Sequence, residues 1–103
     1  MSTENIGAKL RKLREENDLP LHKVAALLDI DVAILSKMER GVRRLTKEIV
    51  TQLAKIYKYD PEELLVLFLS QKIINEVGEE ELALKAMLVA EEQIKYQKTK
   101  RKK

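Results

Sequence analysis

The 103-residue sequence carries 20 Lys and Arg against 17 Asp and Glu and has no cysteine. That length allows one domain with a core, or a small domain with a helical extension, and excludes a two-lobed enzyme; the missing cysteines exclude a disulfide framework and a thiolate metal site. The formal charge of +3 is unevenly spread: residues 1–58 hold 12 Lys and Arg against 8 Asp and Glu, residues 59–97 hold 3 against 9, and residues 98–103 hold 5 against none, which points to a polyanion-binding first half and a second half that binds something else.

Glycine and proline are scarce and punctuate periodic apolar segments, so six helices with short connections are expected and the fold class is all-α. The first runs from Glu4 to Glu16 with Ile6, Leu10 and Leu13 on one face, ended by "NDLP". The second, Leu21 to Leu28, begins after Pro20 and turns Val24, Ala25, Leu27 and Leu28 inward. "DID" then makes a tight connection in which Asp29 tolerates a left-handed backbone and Asp31 caps the third helix, Val32 to Arg40, whose Leu35 and Met38 face inward. Gly41 is placed to end it.

Thr46 caps a fourth helix to Tyr57 built on Ile49, Val50, Leu53 and Ile56. "DPEE" starts the fifth, with Asp60 as cap, Pro61 at the first helical position and Glu63 completing a capping box. It reaches Val77 and stops at Gly78. A sixth helix, Glu79 to Tyr96, opens on acidic residues suited to the positive end of a helix dipole, and "KTKRKK" follows as a disordered basic tail over residues 98–103. "LLVLFL" at Leu64 to Leu69 is far short of the roughly 20 residues that span a bilayer, and Met1–Lys12 contains no apolar segment of a secretory leader. The expected setting is a reducing cytoplasm, with no membrane partner.

Two short helices joined by a tight turn and followed by a basic loop form the helix-turn-helix pattern, in which the second helix enters the DNA major groove. The stretch "LRKLREENDLPLHKVAALLDIDVAILSKMERG" resembles the XRE and phage-repressor type of helix-turn-helix over roughly residues 6–69. It matches in L-R-x-x-R, in the spacing of Val24-Ala25 and Ile30, and in the closing "SKMERG". The resemblance implies a lambda-repressor-like domain over residues 1–69; the helical pattern beyond it reads as a two-helix C-terminal extension over residues 60–97 that shares the fifth helix. The resemblance also implies that Val32, Ala33, Ser36 and Lys37 face base edges, that Arg40, Arg43, Arg44 and Lys47 lie at flanking phosphates, and that Arg14 pairs with Glu39 as a structural ion pair. Helical spacing supports the same division: residues 32, 33, 36, 37 and 40 form one surface, with 35 and 38 opposite.

The sequence departs from the pattern at three places. Asp29 stands where relatives carry glycine, at a local cost of about 1 kcal/mol. Leu21 stands where glutamine often binds phosphate, which leaves the backbone amides of that helix N-terminus, beside Leu21 and His22, as the phosphate contact. His22, the only histidine, is read as a surface residue whose contact with phosphate would strengthen on protonation. Val32 and Ala33 cannot hydrogen-bond to bases but can pack on thymine methyl groups. Lys37 is the candidate for guanine O6 and N7, with DNA shape adding to specificity.

The fifth helix is apolar on more than one side, with Leu64, Leu67 and Phe68 on one face and Leu65, Val66, Leu69 and Ile73 on others, so something beyond the first four helices must cover it. The sixth, with Leu82, Ala83, Ala86, Met87, Ala90 and Ile94, or a second subunit would do so. A homodimer formed through Leu65, Val66, Leu69, Ile73, Met87 and Ile94 is expected, since helix-turn-helix proteins bind half-sites about 34 Å apart as two-fold dimers. Catalysis has no support: no nucleophile has a paired base, there is no glycine-rich phosphate loop, and Glu79–Glu81 reads as a helix start. No cofactor and no small-molecule effector are expected. The function expected is a sequence-specific transcription regulator, a repressor or autoregulating controller, on double-stranded DNA; the alternative is an antitoxin or adaptor that binds a protein through its second half.

Overall fold

The computed structural model describes residues 5–101. Six helices occupy them: α1 Ile6–Glu16, α2 Leu21–Leu28, α3 Val32–Glu39, α4 Lys47–Ile56, α5 Pro61–Val77 and α6 Ala83–Arg101. Expected Glu4 lies outside the described residues; α1 is instead capped by Asn5, whose side-chain oxygen accepts from the Ala8 N–H at 2.8 Å. The chain divides between Lys72 and Ile73 into two compact units.

The first unit is built on one apolar cluster. Ile6, Leu10 and Leu13 of α1 recur at i, i+4 and i+7 and so project from one side. They meet Val24, Ala25 and Leu28 of α2, Leu35 of α3, Val50, Leu53 and Ala54 of α4, Tyr57, and Leu64 and Phe68 of α5. Leu27 departs from expectation: it is 63% exposed, because the two-turn α2 has room for only one inward stripe, and Val24, Ala25 and Leu28 fill it.

Backbone capping sets the lengths of the short helices. Asp18, Asp29, Gly41 and Lys58 all take positive φ after helix ends. Behind each, the next residue's N–H returns to the last turn: Leu19 to Arg14, Ile30 to Ala25, Val42 to Lys37 and Tyr59 to Ala54, at 2.9 to 3.1 Å. This is the Schellman closure, which satisfies carbonyls that a helix end leaves open. At the starts of α4 and α5, Thr46 Oγ1 accepts from the Ile49 N–H and an Asp60 carboxylate oxygen from the Glu62 N–H. Asp31, expected to cap α3 with its side chain, makes no such bond; its backbone carbonyl takes the Ile34 and Leu35 N–H groups instead.

In the second unit, α6 begins at Ala83 rather than Glu79. Gly78 donates to the Ile74 carbonyl and Glu80 to that of Val77, so residues 79–82 are spent in the turn and the acidic run precedes the helix. At its other end α6 continues through Lys98 to Arg101, where a disordered tail was expected. Lys and Gln are good helix formers, Lys95 pairs with Glu91 one turn back, and cations suit a helix C-terminus. Residues 102 and 103 lie outside the described range.

Candidate nucleic-acid interface

The turn between α2 and α3 fixes the site. Asp29 at φ 58° and ψ 45° reverses the chain, so that only Asp29, Ile30 and Asp31 separate the two helices. Leu35, Met38 and Glu39 are buried on the inner side of α3. Its outer side carries Ala33, Lys37 and, at the C-cap, Arg40, all exposed, with Val32 40% exposed and Ser36 half-buried.

Gly41, at φ +79°, closes α3. The Lys37 carbonyl then accepts from Val42 and Arg43, at 2.9 and 3.2 Å, which folds the next loop back beside the last turn and brings exposed Arg43 and Arg44 close to the outer face. Exposed Lys47 begins α4. Among the described residues, none of Lys37, Arg40, Arg43, Arg44 and Lys47 pairs with a carboxylate, and the acid among them, Glu39, is turned inward. The outer face is therefore cationic.

Glu39 has a partner. Arg14 Nε lies 2.7 Å from Glu39 Oε2 and Nη2 lies 3.2 Å from Oε1, while Nη1 donates to the Leu19 carbonyl at 3.0 Å. The side chains are 13% and 6% exposed. The hydrogen bond to Glu39 raises the Arg14 guanidinium above its ordinary range against the opposing effect of burial, so Arg14 holds its charge beside the carboxylate. Burial, with the Glu39 charge adding to it, pushes the nearby Tyr57 phenol up as well. This pair ties α1 to the last turn of α3.

At the start of α2, His22 is exposed, whereas Leu21 is half-buried against the core. Pro20 supplies no side-chain cap; its carbonyl takes the Lys23 and Val24 N–H groups, which leaves the amides of Leu21 and His22 to face an anion. Two residues of this region were not singled out by sequence: Val42, 68% exposed in the arginine loop, and Gly7, buried in α1. Apolar Val42 carries no signal distinguishing it from a core residue. Gly7 shares the side of α1 that carries Arg14, but its closeness to α3 comes from how the two helices cross and not from spacing along the sequence.

A short second helix, a tight left-handed turn and a third helix with an inward apolar edge and an outward cationic face define a DNA-binding helix-turn-helix domain. The family model described as helix-turn-helix matches residues 10–64, more than half of the chain, and the chain belongs to this family, in its XRE type; it is a DNA-binding transcription regulator. A search of curated proteins returns no match to the chain, and neither does a search of solved structures. Among the described residues no helix is long and apolar enough to cross a membrane.

Proposed function

We propose that the protein is a repressor or autoregulating controller that binds a pseudo-palindromic operator as a homodimer, one α3 per half-site. The observation that carries this reading is the exposed Val32–Ala33–Lys37 surface of α3, bordered by the exposed cations Arg40, Arg43, Arg44 and Lys47. In this reading Val32 and Ala33 meet thymine methyl groups, Lys37 meets guanine, Ser36 adds a polar contact, and the arginines and Lys47 hold phosphates. The first-turn amides of α2, beside Leu21 and His22, bind a further phosphate.

The homodimer is supported by large apolar side chains that a single chain leaves in water. Val66, Leu69 and Ile73 of α5 and Ile94 of α6 are each at least 45% exposed, while Leu65 and Met87 are half-buried. Leu65 packs partly against its own core and gives a second subunit only part of its surface. Exposed aliphatic residues in such numbers exceed the scatter of single apolar residues on a monomer's surface. The test is a gel-shift titration with the DNA upstream of the protein's own gene. A nanomolar shift with a two-fold footprint is expected; weak binding together with stoichiometric co-purification of another protein would support the adaptor reading instead.

A further inference from the structure

Gly7 stands in α1 two turns ahead of Arg14, on the same side of the helix. Helix formation offers no reason for it, since glycine weakens a helix relative to alanine. Packing does. A Cβ at position 7 would lie 2.5 Å from the Glu39 carbonyl oxygen and 2.9 Å from that of Met38. Both obstacles are backbone atoms of the last turn of α3, so neither can swing aside as a flexible side chain would.

We propose that Gly7 is a positioning residue for DNA recognition: with Arg14 it forms a two-point clamp by which α1 fixes the last turn of α3. This rests on the reading of α3 as the helix that enters the groove. Gly7 lets α1 close onto the Met38 and Glu39 carbonyls, and Arg14 holds the Glu39 carboxylate at 2.7 Å. What the clamp holds is more than one turn of helix. The Lys37 carbonyl carries the N–H groups of Val42 and Arg43, so any displacement of that turn passes to Lys37 and to the arginine loop. Buried Leu35 and Met38 prevent α3 from yielding by rotation alone.

A Cβ has to stand at least 3.0 Å from its neighbours, which requires a separation of about 0.5 Å or more. That matches the tolerance of about 0.5 Å within which a binding constellation keeps its function.

The test compares three full-length chains: the unmodified protein, Gly7→Ala, and Val50→Ala as a core truncation on α4, each binding a duplex selected from a random library and an unrelated duplex. Gly7→Ala is expected to lose about tenfold or more in affinity for the selected duplex, with a smaller loss on the unrelated one, and to move the backbone amide resonances of residues 37–44. Val50→Ala is expected to lower the melting temperature while holding affinity within about twofold at a temperature where it is folded. If Gly7→Ala folds poorly, all three are assayed in trimethylamine N-oxide, which strengthens burial. Affinity and amide resonances that follow Val50→Ala would overturn the clamp. If the unmodified protein selects no duplex, the DNA reading fails, and the shifts of residues 37–44 alone decide whether Gly7 positions that turn.

Discussion

Glu39→Gln removes the charge from the buried pair while keeping its volume, and leaves Arg14 as an unneutralised guanidinium only 13% exposed. Two of the three hydrogen bonds of Arg14 run to Glu39 and one to the Leu19 carbonyl, so most of its compensation goes with the charge. Breaking such a pair costs about 3 kcal/mol, which for a domain of this size lowers the melting temperature by about 12 °C or more. Arg14→Met strands the Glu39 carboxylate and costs a similar amount. The double variant carries no unpaired buried charge, only the amide of Glu39→Gln without its Arg14 partner, and recovers part of the loss, since a lone amide costs less to bury than a lone charge. Urea denaturation of the four proteins at one fixed concentration measures the coupling, which should reach about 2 kcal/mol. Single losses below about 1 kcal/mol each, adding to within about 0.5 kcal/mol, would refute the reasoning.

Three further outcomes follow from other parts of the structure. Lys37→Ala should relax base preference at one position per half-site, whereas Arg43→Ala should weaken all duplexes alike and reduce the salt dependence by about one counterion, as read by binding titrations across salt concentrations; a uniform loss in both would remove the division between base and phosphate contacts. Ile73→Glu places a charge among the exposed apolar residues of α5 and should convert dimer to monomer in sedimentation at micromolar concentration, and an unmodified chain that sediments as a monomer would exclude the dimer. Lys58, at φ 54°, is exposed and non-glycine in a left-handed position, so Lys58→Gly should raise stability by about 0.5 to 1 kcal/mol in urea denaturation.

Much of the first unit was legible because local and tertiary signals agree there. Leu10, Val24, Leu35, Val50 and Leu64 lie at helical spacing and are all fully or nearly fully buried, and the tight turn at Asp29 and the stop at Gly41 follow from residue types that accept positive φ. Asp18, of the same accepting type, takes that backbone too, whereas Lys58 takes it without any residue-type cue. Leu27 misled because a two-turn helix can bury fewer residues than its apolar content suggests. The second unit was harder to read. Ala83, Ala86, Met87, Ala90 and Ile94 offer a face of α6, but Leu84, Leu88 and Val89 stand off it and, of the five, only Ala83 is buried and Met87 half-buried; acidic and basic runs could not fix either end of the helix. On the site, helical phase separated Val32, Ala33 and Lys37 from Leu35 and Met38. The close approach of Gly7 to the Glu39 carbonyl depends on how α1 crosses α3, which spacing along one helix does not contain.

The central claim is that the outer face of α3 enters a DNA groove between cations that hold the phosphates. A titration of the isotope-labelled chain with its selected duplex, followed by backbone amide resonances, tests it most directly. The account predicts shifts concentrated at Leu21 and His22, at Val32, Ala33, Ser36 and Lys37, and across Arg40 to Lys47. Shifts confined to Ile73–Arg101, with the α3 surface unmoved, would contradict it.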